Sequence, residues 1–73
     1  MWKYESPIGP LYIKELPNGR FGLVYNEILW ESSHSPQAEA DNVYLHSTGC
    51  SEWDLLAGKI FDVPSRLSEW EVI

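Results

Sequence analysis

Only one cysteine, five basic side chains and no long apolar run are present in this chain of 73 residues. Each scarcity excludes a class of protein. With Cys50 alone, no disulfide can form within the chain, which fits a reducing, cytoplasmic compartment better than a secreted one. Nothing approaches the run of about 18 apolar residues that a membrane-spanning helix needs. The opening Met-Trp-Lys-Tyr-Glu has no apolar stretch after its basic residue, so no signal peptide is expected. Lys3, Lys14, Arg20, Lys59 and Arg66 are scattered against eleven acids, giving a formal charge of −6. That balance argues against direct contact with nucleic acid or an anionic membrane, both of which demand clustered cations.

What is present is aromatic. Four tryptophans, four tyrosines and two phenylalanines supply large buried areas in a chain too short for many aliphatics. At 44% hydrophobic residues the chain is too apolar for disorder, and its length predicts one small domain spanning residues 1–73. Charge is uneven. Residues 1–26 carry Glu5 and Glu15 against three cations, whereas residues 27–73 carry nine acids against Lys59 and Arg66.

Pro17-Asn18-Gly19 is the clearest turn signal, with proline pre-setting φ and glycine accepting the left-handed position. Pairing Leu16 with Arg20 across it places Ile13 opposite Leu23, Leu11 opposite Tyr25 and Tyr12 opposite Val24. Asn26-Glu27 reads as a two-residue turn, pairing Tyr25 with Ile28, Val24 with Leu29 and Leu23 with Trp30. The two registers agree about the faces. One collects Leu11, Ile13, Phe21, Leu23, Tyr25, Ile28 and Trp30, and is the expected core face. The other collects Tyr12, Lys14, Gly22, Val24, Leu29 and Glu31. A first strand over Trp2–Ser6, joined by a loop Pro7-Ile8-Gly9-Pro10, puts Trp2 and Tyr4 on the core face and avoids burying Lys3 and Glu5.

Ser35 as N-cap, Pro36 at the first helical position and Glu39 and Asp41 near the positive end predict a helix from Pro36 to about Ser47. Gly49 is its expected terminator, and Ala40, Val43, Tyr44 and Ser47 its buried side. Ser51-Glu52-Trp53-Asp54 has a capping-box pattern and predicts a short second helix ended by Gly58. Trp70–Ile73 alternates like a strand that joins a sheet edge. The predicted fold class is α+β: an antiparallel β-meander of three or four strands, one α-helix packed on one face, a short second helix and a C-terminal strand or tail.

Chemistry-bearing constellations are weak. His46 and Cys50 are four apart, but His34 and His46 lie at opposite ends of the predicted helix, about 18 Å apart at about 1.5 Å per residue. No metal or other cofactor is expected. Cys50 precedes a predicted helix start, a position that can activate a thiol, with His46 close in sequence. A thiol or metal protein is the third reading, and no catalysis is expected. Tyr4-Glu5-Ser6-Pro7-Ile8-Gly9-Pro10-Leu11-Tyr12-Ile13 resembles the opening hairpin of the N-terminal domain in alkylguanine-DNA alkyltransferases. The resemblance implies a hairpin. The family's Pro-Cys-His-Arg motif is absent, Cys50 lying in Gly-Cys-Ser, so no activity or residue role carries over.

The leading expectation is a non-catalytic protein-interaction or regulatory module. Its binding surface is an apolar strip of Tyr12, Val24 and Leu29 with an acidic rim, engaging a protein with a basic or mixed surface, or a second copy of the chain. Alternatively the C-terminal segment, with Trp53 or Trp70, folds over that face and no strip exists. The second function reading is an acidic, phage-type inhibitor that mimics nucleic acid and blocks a basic groove. Glu39, Asp41, Glu52 and Asp54 are its candidate contacts, with Trp53 among them.

Overall fold

A computed structural model describes all residues 1–73. It contains strands β1 (Trp2–Ser6), β2 (Gly9–Glu15), β3 (Phe21–Tyr25), β4 (Ile28–Ser33) and β5 (Glu71–Val72), with helices α1 (Pro36–Tyr44) and α2 (Ser51–Asp54) and a 3₁₀ turn at Leu67–Glu69. The sheet order is β4-β3-β2-β1-β5, antiparallel throughout. The fold is α+β, as the pattern of turns and caps predicts. The C-terminal strand adds to β1, with Trp2 opposite Val72 and Lys3 opposite Glu71.

The register of β2 on β3 is the predicted one, from Leu11 opposite Tyr25 to Glu15 opposite Phe21. Gly19 takes φ +83°, and the Leu16 amide donates to the Arg20 carbonyl at 2.7 Å. Asn26 and Glu27 both adopt positive φ, 55° and 65°, the geometry of a two-residue hairpin turn matched to strand twist. The β1–β2 connection is tighter than expected. Ser6 pairs with Gly9 across Pro7-Ile8 alone, and the Ser6 hydroxyl donates to the Gly9 carbonyl. Two residues fewer in the loop preserve the side-chain parity, so Trp2 and Tyr4 still face the core.

β4 departs from the expected alternation. After Val24–Leu29 the register slips and Leu23 stands opposite Glu31 rather than Trp30. This bulge sets Trp30 and Glu31 on the same side, so Glu31 and Ser33 turn to the helix side of the sheet. The Trp30 indole N–H donates to the Tyr25 carbonyl at 3.1 Å, a bond that helps hold the bulge.

Ser35 caps α1 as expected, its hydroxyl accepting from the Ala38 amide at 3.0 Å. The helix stops at Tyr44, short of Ser47, and its terminator is His46 rather than Gly49. His46 has φ 55°, its amide donates to the Val43 carbonyl and the Ser47 amide to the Asn42 carbonyl, forming a Schellman closure. A stacked contact with Trp53, ring centroids 4.5 Å apart, compensates the strain of a histidine in that conformation. Its buried side is correspondingly Glu39, Ala40 and Val43, with Tyr44 half-exposed.

Cys50 rather than Ser51 occupies the N-cap position of α2, and its side chain makes no capping hydrogen bond. Asp54 reaches back to accept from the Thr48 and Gly49 amides and from the Thr48 hydroxyl at 2.8 Å, pinning the loop between the helices. Leu11, Ile13, Leu23, Tyr25, Ala40, Val43, Cys50, Trp53 and Trp70 form one core between α1 and the sheet. Tyr4 lies between Trp53 and Trp70, at centroid distances of 6.0 and 5.5 Å. Both C-terminal tryptophans therefore close over the same face as α1.

Candidate functional site

With Trp53 and Trp70 on the helix side, the opposite sheet face has no second layer. Strand pairing lines up Glu71, Lys3, Tyr12, Val24 and Leu29 in one row across five strands. Tyr12, Val24 and Leu29 take no part in the core, and Leu29 is 51% exposed. Gly22, in the next row, is buried because the side chains of Leu29 and Leu16 fold over it. A methyl group there would meet both leucines, so the glycine lets them lie flat on the sheet.

The rim of this strip is mixed rather than acidic. Glu31, expected beside Leu29, is carried by the bulge to the helix side, where its carboxylate accepts from the Asn42 amide group at 3.2 Å. Lys14 flanks Gly22, and Arg20 crosses to Ser32, donating through Nε to the hydroxyl at 2.8 Å and through Nη2 to the carbonyl at 2.9 Å. On the other flank Lys3 pairs with Glu5 at 3.6 Å, with Glu71 opposite Lys3.

The other predicted contact residues do not gather with the strip. Trp53 is fully buried, with its indole N–H on the Val43 carbonyl at 2.9 Å. Asp54 is occupied by the Thr48–Gly49 loop. Glu39 is fully buried under α1, receiving a hydrogen bond from Ser33 at 3.1 Å, while its second carboxyl oxygen finds no donor. Burial and the facing Glu31 push its pKa up to about 8, although Ser33 and Arg20 oppose the shift. Asp41 and Glu52 remain at the surface. Asp41 accepts from Gln37 at 2.8 Å, and Glu52 from the Tyr25 hydroxyl at 3.2 Å. Burial and the Glu52 carboxylate raise the Tyr25 pKa.

Cys50 is buried, and His46 Nδ1 faces the Trp53 carbonyl at 3.1 Å. No group of three or more histidine, cysteine or acidic side chains is arranged to hold a metal ion. No helix is long and apolar enough to cross a membrane.

A second apolar surface was missed by sequence reasoning. Tyr44, Leu45 and His46 at the end of α1 and Ala57, Gly58, Ile60, Phe61 and Val63 beyond α2 line an open cleft of about 370 Å³. Phe61 is 88% exposed and Leu45 66%. Phe61 next to Asp62, in a stretch without periodicity, was the available signal. No known protein family, curated protein or solved structure matches the chain.

Proposed function

We propose that this chain is a non-catalytic protein-interaction module that binds a protein partner through the Tyr12–Val24–Leu29 row. The observation that carries the reading is an apolar row crossing a sheet whose helices and C-terminal tryptophans all lie on the other face. An apolar centre with Lys14 and Arg20 on one flank and Glu5 and Glu71 on another suits a partner of mixed charge. The cytoplasm is the compartment that goes with this reading, on the strength of the lone Cys50. The competing reading, an acidic inhibitor acting on a basic groove, has less support, because Glu39 and Asp54 are spent inside the fold and only Asp41 and Glu52 lie at the surface, each already accepting a hydrogen bond.

Crosslinking in the source cells with wild-type protein and with Leu29→Asp tests the proposal. The wild type is expected to capture a partner that Leu29→Asp and Tyr12→Ala lose, with binding tolerant of salt. Capture unaffected by both substitutions, or abolished by charge reversal at Asp41 and Glu52 instead, defeats it.

A further inference from the structure

Glu39 of α1 and Glu31 of β4 form a carboxyl pair at the boundary between helix and sheet. Glu39 is fully buried; one of its oxygens accepts from the Ser33 hydroxyl at 3.1 Å and the other has no donor. Glu31 is half-buried and accepts from the Asn42 side-chain amide at 3.2 Å. Two facing carboxyl groups with so few donors stay together only while they share a proton. Other charges do little to relieve them. Arg20 favours the charged form of Glu39, but its guanidinium is already bonded to Ser32. Lys14 and Glu15 of β2 are exposed, as is His34 before the helix, and β3 carries no charge. Glu69 of the 3₁₀ turn accepts from the Ser65 and Arg66 amides, Arg66 itself is exposed, and Asp41 of α1 is exposed and accepts from Gln37.

Glu31 belongs to this pair only because of the bulge in β4. Unbroken alternation from Val24–Leu29 would pair Leu23 with Trp30, Gly22 with Glu31 and Phe21 with Ser32. The sequence fits both registers. A slip of one residue sets Trp30 in the place of Glu31 opposite Leu23, and Ser32 in the place of Ser33 opposite Phe21. The connection to α1 gains Ser33, so the slip stretches nothing. Glu31 moves to the open face, in the row of Gly22 and Lys14. β4 is an edge strand, with β3 alone to hold its register.

We propose that β4 is a two-register switch governed by the proton that Glu31 and Glu39 share. With the proton in place the bulged register holds, supported by the Arg20–Ser32 and Ser33–Glu39 hydrogen bonds. Loss of the proton leaves two negative charges face to face, and Glu31 departs to water as β4 straightens. Burial and the Glu31 carboxyl push the Glu39 pKa up to about 8, so release falls above neutrality. On the reading of Tyr12–Val24–Leu29 as a partner surface, straightening adds an acid beside Leu29 and turns the preference toward basic partners. Only this consequence rests on that reading.

NMR of the full chain from about pH 6 to about pH 10 tests the switch, reading cross-strand contacts between carbon-bound protons. At the acid end, contacts pairing Gly22 with Ser32 and Phe21 with Ser33 are expected. As the Glu39 carboxyl carbon titrates, these should be lost to contacts pairing Gly22 with Glu31 and Leu23 with Trp30, while Val24–Leu29 persists. Glu39→Gln keeps a neutral side chain and is expected to retain the bulged contacts at every pH, as is Glu31→Gln. Four outcomes overturn the proposal: bulged contacts unchanged to the alkaline limit, a straight register already at the acid end, a register change that survives in Glu39→Gln, or loss of all sheet contacts together. None of these readouts involves a partner. Failure to capture one therefore leaves the switch standing, and failure of the switch leaves the apolar row.

Discussion

On the helix side of the sheet, Leu11, Ile13, Leu23 and Tyr25 are sealed beneath α1 and the two C-terminal tryptophans. One residue along in each strand, Leu29 is exposed and Tyr12 and Val24 are half-buried, with most of the charge around them at the surface. Both rows are apolar, and strand alternation alone would let either be the core. The difference lies in where the other half of the chain lands. Tyr4 decides much of it, because its ring sits on the helix side and offers Trp53 and Trp70 an aromatic surface to pack against. The covered face also tolerates polar groups that the open face does not need to. Glu39, Glu31, Ser33 and Asn42 share a partly buried network there.

If the helix side carries the stability, Trp53→Ala is the most damaging single change, costing about 3–5 kcal/mol. That is enough to unfold much of a domain this small, and denaturant titration measures it. A loss below about 1 kcal/mol would mean the covered face is far less packed than its burial indicates.

The acid network gives the next largest effect, and it has a definite sign. Glu39 moves from the ordinary 4.5 to about 8 on folding, so the folded chain keeps a proton that the unfolded chain releases between those values. Stability should therefore fall as pH rises through that window, by an amount on the order of a few kcal/mol. Glu39→Gln mimics the protonated acid and should flatten the profile, leaving the variant more stable than wild type above about pH 8. Thermal melts across pH distinguish the two, and parallel profiles would rule out Glu39 as the titrating group.

On the open face, Gly22→Ala forces a methyl group beneath Leu29 and Leu16, and is expected to cost about 1–2 kcal/mol. Leu29→Asp comes last, at under about 1 kcal/mol, because half of that side chain is already in water. Should Leu29→Asp destabilise as much as Trp53→Ala, the contrast between a load-carrying face and a free one fails.

The legible part of the fold is local. Pro17-Asn18-Gly19 and Asn26-Glu27 lie between alternating strands, and turn geometry sets register directly, so Tyr12–Val24–Leu29 could be aligned in advance. Ser35-Pro36 announces a helix start by capping chemistry that needs no distant partner. The helix end was not legible, since His46 competes with Gly49 only once Trp53 stacks on it. Nor was the acidic rim. Glu31 reads as a surface residue, and only the bulge at Trp30 delivers it to Asn42 and Glu39. The cleft beside Phe61 arises where α1 meets a stretch far along the chain, and no periodicity marks it.

Sequence by itself determined the meander, the parity of β2 and β3 and the N-terminus of the helix. These follow from φ preferences, side-chain alternation and caps, all of which act over a few residues. Tertiary structure alone decided which face stays open, where α1 ends, which acids are buried and where the second apolar surface forms. Those depend on which aromatic ring meets which across the chain, a competition among contacts of similar energy that no short window of sequence contains.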